Sequence, residues 1–148
     1  MESNRYLEFH LGNESYAVEL LTVKEVITIP ELTPIPKAPA YVSGLMNLRG
    51  QVITVIDLRK KLNITPSKDS SQCGVIIFDL NDRSLGVMVD SIHKVLTIPA
   101  DHIKELPDGE GSNNNFFLGV LQHDSMLTMW FDPSVLLETK TSELKKAA

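Results

Sequence analysis

Apolar and polar residues alternate over residues 6–11, with Leu7, Phe9 and Leu11 on one face and Glu8 and His10 on the other. That period of two predicts a half-buried β-strand. Asn13 and Glu14 make a turn into a second strand at Tyr16-Ala17-Val18. Val52-Ile53-Thr54-Val55-Ile56 is a continuous, β-branched run, which predicts a strand buried on both faces. Val75-Ile76-Ile77-Phe78 and Leu85-Gly86-Val87-Met88-Val89 flank the turn residues Asn81-Asp82-Arg83-Ser84, a hairpin pattern. Residues 126–131 read as the last strand. Helical signals are few. Residues 20–26 have room for one short turn. Asp57 is placed to cap a short helix through Leu62, with Asn63 as its stop. Asp132-Pro133-Ser134 opens a C-terminal helix with Leu136, Leu137 and Leu144 on its apolar side. Four prolines make residues 30–39 an extended connector, because each pushes its predecessor out of helix. Residues 65–72 form a polar surface loop. Many short strands with Gly and Pro turns predict small β-barrels.

The pattern repeats. Val26-Ile27-Thr28-Ile29-Pro30 recurs as Val95-Leu96-Thr97-Ile98-Pro99, an offset of 69 that also maps Phe9 onto Phe78, Leu11 onto Leu80, Tyr16 onto Leu85, Val18 onto Val87 and Val23 onto Ile92. Further on, Gly44 and Asp57 map onto Gly119 and Asp132 with an offset of 75. An insertion of 6 in the polar stretch 107–115 accounts for the difference. A period this long means two copies of a subdomain rather than a solenoid. We therefore expect a single domain over residues 1–148. One subdomain spans about 14–65 together with the C-terminal helix and a second spans about 73–132. The strand at 6–11 is left open to either barrel.

Composition narrows the function. With 43% hydrophobic and 22% charged residues, the chain can fill a core. A net charge of −5 argues against nucleic acid and against anionic lipid. No apolar run approaches the ~20 residues that span a bilayer. Residues 1–5 lack the pattern of a signal peptide. The single Cys73 excludes an internal disulfide, so a reduced, cytoplasmic protein is expected.

No catalytic constellation is apparent. His10, His93, His102 and His123 do not pair at a metal-ligand spacing. No GxSxG, P-loop or GxGxxG occurs. Cys73 reads as a small apolar residue at a strand start. Asp57 and Asp132 occupy matching places ahead of helices, so they read as caps rather than as a hydrolytic pair. No enzyme activity, metal or cofactor is expected. Binding signals are clearer. The first copy alone carries Asn47-Leu48-Arg49-Gly50, which holds an Arg fork on a rigid strand end where it can contact a partner carboxylate or carbonyl. A solvated Arg in a plain Gly turn is the simpler alternative. Val23-Lys24-Glu25-Val26 and Ile92-His93-Lys94-Val95 each set apolar residues around a polar pair, with Val26 and Val95 weighed as core positions. Two barrels side by side would leave a groove fit for a partner helix.

These residues carry a family resemblance. Residues 44–59 resemble the G-x-x-N-x-R-G-x-x-x-x-x-x-D-L-R signature of the CheW family, adaptors of bacterial chemotaxis. The likeness continues in Phe9, Leu11-Gly12, Tyr16-Ala17-Val18, Val23-Lys24-Glu25-Val26-Ile27, the stretch 36–44, Gly86-Val87-Met88-Val89-Asp90 and Val95-Leu96. It runs over about 6–137. The resemblance implies a mainly all-β fold of two five-stranded SH3-like barrels around a shared core, with few helices. It implies a non-enzymatic scaffold joining chemoreceptor cytoplasmic tips to the regulatory domain of a CheA-type histidine kinase, with ring contacts to kinase or other CheW-like domains. By position, Val23, Glu25, Arg49 and Val95 match places associated with receptor or kinase contacts. With Asn47, Gly50 and Ile92 they form the candidate partner surface. Gly44, Asn47, Gly50, Asp57 and Gly86 match positions that hold turns, and Asp132 is the second cap. Two departures stand out: Lys94 where the family often has an acid, and Met46 in place of a β-branched residue. The chain ends soon after its last helix, where CheV-type proteins continue into a receiver domain. Alternatives are a CheW-like adaptor of a pilus or biofilm array and, from another class, a small-molecule-binding β-barrel.

Overall fold

The computed structural model describes residues 3–65, 73–106 and 116–136. The strands in chain order are β1 (Ser3–Leu11), β2 (Glu14–Glu19), β3 (Val23–Thr28), β4 (Val42–Leu48), β5 (Gln51–Asp57), β6 (Gly74–Leu80), β7 (Arg83–Val89), β8 (Ser91–Pro99), β9 (Ile103–Lys104), β10 (Phe117–His123) and β11 (Met126–Phe131). One α-helical turn, α1 (Leu58–Lys61), follows β5. Asp57 caps it through the Arg59 N–H (3.0 Å), and Asn63 stops it at φ 57°. Asp132 caps the second site through the Ser134 N–H (3.1 Å). The continuation of that helix through Leu137 and Leu144, and the loops 66–72 and 107–115, lie outside the described residues.

The fold is mainly β, two SH3-like sheets, and the strands pair across the repeat. One sheet has the order β3-β6-β7-β5-β4; the other has β8-β1-β2-β11-β10-β9. The second sheet gains a sixth strand over the expected five, but that strand is only two residues long. Each sheet takes a hairpin from one copy and its remaining strands from the other, three in the five-stranded sheet and four, counting the short β9, in the six-stranded one. The hairpin β6–β7 joins β3, β4 and β5, while the hairpin β1–β2 joins β8, β10 and β11. The two parallel pairs correspond as well. Thr54 lies opposite Leu85 in one sheet, and Met129 lies opposite Tyr16 in the other. The repeat identifies which segments are alike; hydrogen bonding groups residues 23–89 in one sheet and 3–19 with 91–131 in the other.

This exchange places the repeated apolar residues face to face. Phe9, Leu11, Tyr16 and Val18 pack with their counterparts Phe78, Leu80, Leu85 and Val87 in one central cluster, joined by Ile56 and Phe131. Each sheet then encloses a smaller cluster of its own: Met46, Ile53, Val55, Val75, Ile77 and Met88 in the five-stranded one, and Tyr6, Ala17, Leu96, Ile98 and Leu121 in the other. The central strands are thus buried on both faces. Gly86 sits where β7 crosses this core. A Cβ there would lie 3.1 Å from Val55 Cγ2 and 3.2 Å from Val75 Cγ1.

One local expectation is narrowed and two change. The one short turn expected within residues 20–26 is the 3-10 turn Leu20–Thr22, and Val23–Thr28 continues as β3. Its β-branched residues complete the edge of β6. Val52 is exposed despite its place in an apolar run, because the start of β5 projects beyond the sheet interior. Glu8, on the side of β1 expected to face solvent, is only 6% exposed, because that face turns into the interior of the six-stranded sheet.

Candidate functional site

Asn47, Arg49 and Gly50 lie at the tight turn between β4 and β5. Leu48 pairs with Gln51, so Arg49 and Gly50 are the two loop residues, with φ of 52° and 88°. Two positive φ values are what a type I′ hairpin turn demands. The Asn47 side chain accepts the Gly50 N–H at 2.9 Å and locks the turn. Beneath it, Gly44 (φ 145°) lies against the connector, where a Cβ would sit 2.6 Å from the Thr33 carbonyl oxygen.

The Arg49 fork does not stand free. Its two terminal nitrogens donate to the two carboxylate oxygens of Glu25 at 2.6 and 3.0 Å. Glu25 is on β3 and the turn joins β4 to β5, so the pair ties together the two edges of the five-stranded sheet. Arg49's side chain remains 72% exposed. The hydrogen bonds from Arg49 hold the Glu25 carboxyl below its ordinary pKa, and Glu25 in turn raises that of Arg49. Beside the turn, Glu31, Leu32, Thr33, Leu45, Met46, Asn47 and Val52 line an open groove.

The second copy keeps the turn and changes its side chains. Asp124 and Ser125 have φ of 46° and 62° at the places of Arg49 and Gly50. The I′ geometry is therefore common architecture, and what the first copy adds is chemical. The counterpart of Glu25 is Lys94, so the second copy carries the same two kinds of charge with places exchanged.

The remaining candidates divide. Val23 packs against the central cluster, and Val26 beside it is 44% exposed. Ile92 and Val95 belong to β8, in the other sheet. Ile92 packs on the central cluster, and Val95 is 43% exposed. Val26 and Val95 are thus surface residues on the outer strands of their sheets, not core. The structure brings Glu25, Asn47, Arg49 and Gly50 together and leaves Ile92 and Val95 on a separate edge.

Sequence reasoning missed two clusters. The first surrounds Arg59, which reaches Asp57 (2.9 and 3.1 Å) and Asp90 (2.7 Å). Asp57 is therefore an ion-pair partner as well as a cap. Asp90 also accepts the Gly12 N–H. The hydrogen bonds that Arg59 donates to Asp57, with the one to Asp90, raise its pKa far above the ordinary value, although burial opposes this. Cys73 Sγ lies 3.8 Å from the same guanidinium. The Asp-Leu-Arg of the signature was the available signal. The second cluster joins histidines 83 positions apart in sequence: the rings of His10 and His93 approach to 3.9 Å between centroids. Burial first, and His93 second, push the His10 pKa down, with Glu8 opposing. Only strand pairing could reveal this contact, because β1 lies beside β8.

The family model described as "CheW-like domain" matches residues 5–141. Among curated proteins, the chain is 30% identical to the chemotaxis protein CheW of Treponema pallidum over 99% of this chain and 88% of that one. It is 28% identical to the protein PilI of Pseudomonas aeruginosa, over 88% and 73% respectively. Among solved structures, the scaffolding protein TtCheW of Thermoanaerobacter tengcongensis superposes with a TM-score of 0.83 at 28% identity, covering 88% of this chain and 90% of that one. The signature at residues 44–59, the exchanged two-sheet architecture and the span of these matches lead to one assignment: the chain belongs to the CheW-like domain family.

Proposed function

We propose that this protein is a non-enzymatic adaptor that couples the cytoplasmic hairpin tips of chemoreceptors to the regulatory domain of a CheA-type histidine kinase. The match of the family model across nearly the whole chain carries this reading. Val23, Glu25, Asn47, Arg49 and Gly50 form one partner-binding surface, and Ile92 and Val95 form another on the opposite sheet. Holding two partners at once makes their encounter effectively intramolecular and needs no chemistry by the adaptor. The exchanged charges of Arg49–Glu25 and Asp124–Lys94 suit ring contacts in which one end of a CheW-like domain meets the other end of its neighbour. The adaptor is cytoplasmic in this reading and reaches membrane-bound arrays through its partners. No helix among the described residues is long and apolar enough to cross a membrane.

Co-purification with a CheA-type regulatory domain and a receptor hairpin fragment tests this. The wild-type chain should retain both. Arg49→Asp should lose one while keeping its fold. The double swap Arg49→Glu with Glu25→Arg restores the internal ion pair but not the displayed Arg. Recovery of binding in the swap would mean the pair only braces the sheet. Failure of the wild-type chain to retain either partner would refute the adaptor reading. The likeness to PilI favours a second reading, an adaptor of a pilus-associated array. A preference for the kinase of such an array over a flagellar CheA would select it.

A further inference from the structure

At one end of the six-stranded sheet a polar line crosses neighbouring strands. His93 lies on β8, Glu8 and His10 on β1, Ser15 on β2, Thr128 on β11 and His123 on β10. Ser15 donates to a Glu8 carboxylate oxygen at 2.8 Å, and its hydroxyl lies 3.1 Å from that of Thr128. The Thr128 hydroxyl is in turn 2.8 Å from His123 Nε2. Glu8 is 94% buried and Thr128 is fully buried. The repeat supplies an internal control for whether the fold requires these groups. The counterparts of Glu8, Thr128 and His123 in the five-stranded sheet are Ile77, Ile53 and Leu48, all within or against its apolar cluster. The other copy therefore fills the places of Glu8, Thr128 and His123 with hydrocarbon, while those of His10, Ser15 and His93 stay polar, as Asp79, Ser84 and Lys24. Burying a carboxylate there is unfavourable unless something compensates the charge.

We propose that Glu8, His10 and His93 form a binding site for one divalent transition-metal ion of the zinc class. One ligand atom from each of the three lies within 4.8 Å of the other two. Tetrahedral zinc, with bonds of about 2.0–2.1 Å, holds its donors roughly 3.4 Å apart. Closing on an ion thus requires shifts of about an ångström, with the two rings, now tilted by 31°, swinging to share the metal. Two imidazoles select a borderline ion over magnesium or calcium, which prefer oxygen-only sites. A neutral imidazole is the ligating form. Ser15 already orients Glu8, the kind of supporting contact that fixes ligands around metals. His93 is exposed, so the site opens to solvent and leaves a fourth position for water or a partner's side chain. An ion here would fasten the outer strand β8 to β1. The assignment is independent of the adaptor reading, but β8 also carries Ile92 and Val95, so occupancy would stiffen that surface.

Calorimetric titration of the tag-free full chain with zinc chloride, and visible absorption after cobalt addition, test the site. We expect one saturable ion per chain, cobalt bands of a low-coordinate complex, and no displacement by millimolar magnesium. His93→Ala and Glu8→Gln should each weaken binding by at least about tenfold. His102→Ala should leave it unchanged. Circular dichroism checks that each variant folds, and the exposed His93 makes its variant the decisive one. Absence of saturable one-to-one binding, or unchanged affinity in folded His93→Ala, would overturn the proposal.

Discussion

Asp57 and Asp132 occupy the same place in the two copies, and each caps the turn that follows its strand. Only Asp57 has a guanidinium two residues on; at the equivalent place Asp132 has Ser134. Replacing each by Ala therefore separates two energies in one molecule. Asp132→Ala removes a cap and should cost about 0.5–2 kcal/mol. Asp57→Ala removes a cap and also two hydrogen bonds, at 2.9 and 3.1 Å, to Arg59. The side chains of Arg59, Asp57 and Asp90 are 12%, 7% and 2% exposed, so solvent screens the interaction little. Breaking a buried pair leaves a charge uncompensated and costs about 3–5 kcal/mol. Asp90 remains at 2.7 Å to soften the loss, which places Asp57→Ala toward the lower end of that range. For a chain of this length each kcal/mol lowers Tm by about 2–4 °C, so Asp57→Ala should lose roughly 6–15 °C and Asp132→Ala roughly 1–8 °C. Urea unfolding followed by circular dichroism and by the fluorescence of Trp130, the only tryptophan, would measure both. Equal losses in the two variants would refute the claim that the ion pairs of Asp57 add to its capping.

Gly44→Ala should destabilise more than Gly50→Ala. Both have positive φ, but a Cβ at Gly44 meets the Thr33 oxygen at 2.6 Å, while Gly50 faces open space and bears only the backbone cost of about 1–2 kcal/mol; equal chemical-denaturation midpoints would contradict this. The Glu25 carboxyl is depressed below 4.5 by Arg49, so the pairing is complete above that pH and is lost as pH falls through the folded-state value. Carboxyl NMR titration should show Glu25 moving up toward 4.5 in Arg49→Ala; an unchanged midpoint would mean that the fork does not hold it. His10 titrates below its ordinary 6.5, so stability should decline as pH drops beneath 6.5. In metal-free His93→Ala its midpoint should rise, and a fall would show that His93 does not repel the charged ring.

Much of the fold was legible in the chain because local rules and global packing agree. Alternation located β1, Asn81-Asp82-Arg83-Ser84 marked a hairpin turn that the structure narrows to Asn81-Asp82, with Arg83 and Ser84 already in β7, and Asp57 with Asn63 bounded α1. The repeat identified Phe9 with Phe78 and Leu11 with Leu80 as equivalent places, and the structure adds that these equivalents share one cluster. Periodicity carries no information on which hairpin pairs with which strands, so the exchange between copies was not visible. For the same reason Glu8 read as solvent-facing. A two-residue period marks two faces, and in a sheet curled around its own cluster both can be interior. At the candidate site, Arg49 and its turn were readable. Its partner Glu25, 24 residues away, was singled out as a contact in its own right, but their pairing depends on the closure of the sheet edges. The meeting of His10 with His93 depends likewise on β1 lying beside β8.

The exchange of hairpins between copies also sets the order in which the chain can become a protein. The five-stranded sheet is drawn from one continuous stretch, residues 23–89, and can assemble as soon as that stretch has left the ribosome. The hairpin of β1 and β2 is made first and completed last, because its parallel neighbour β11 begins only at Met126. At synthesis rates of about 5–20 residues per second, that interval lasts roughly 5–20 s. Throughout it Tyr6, Ala17 and the rest of their inner face await β8, β10 and β11. The earliest part of this chain to be synthesised is therefore the part with the longest need of protection.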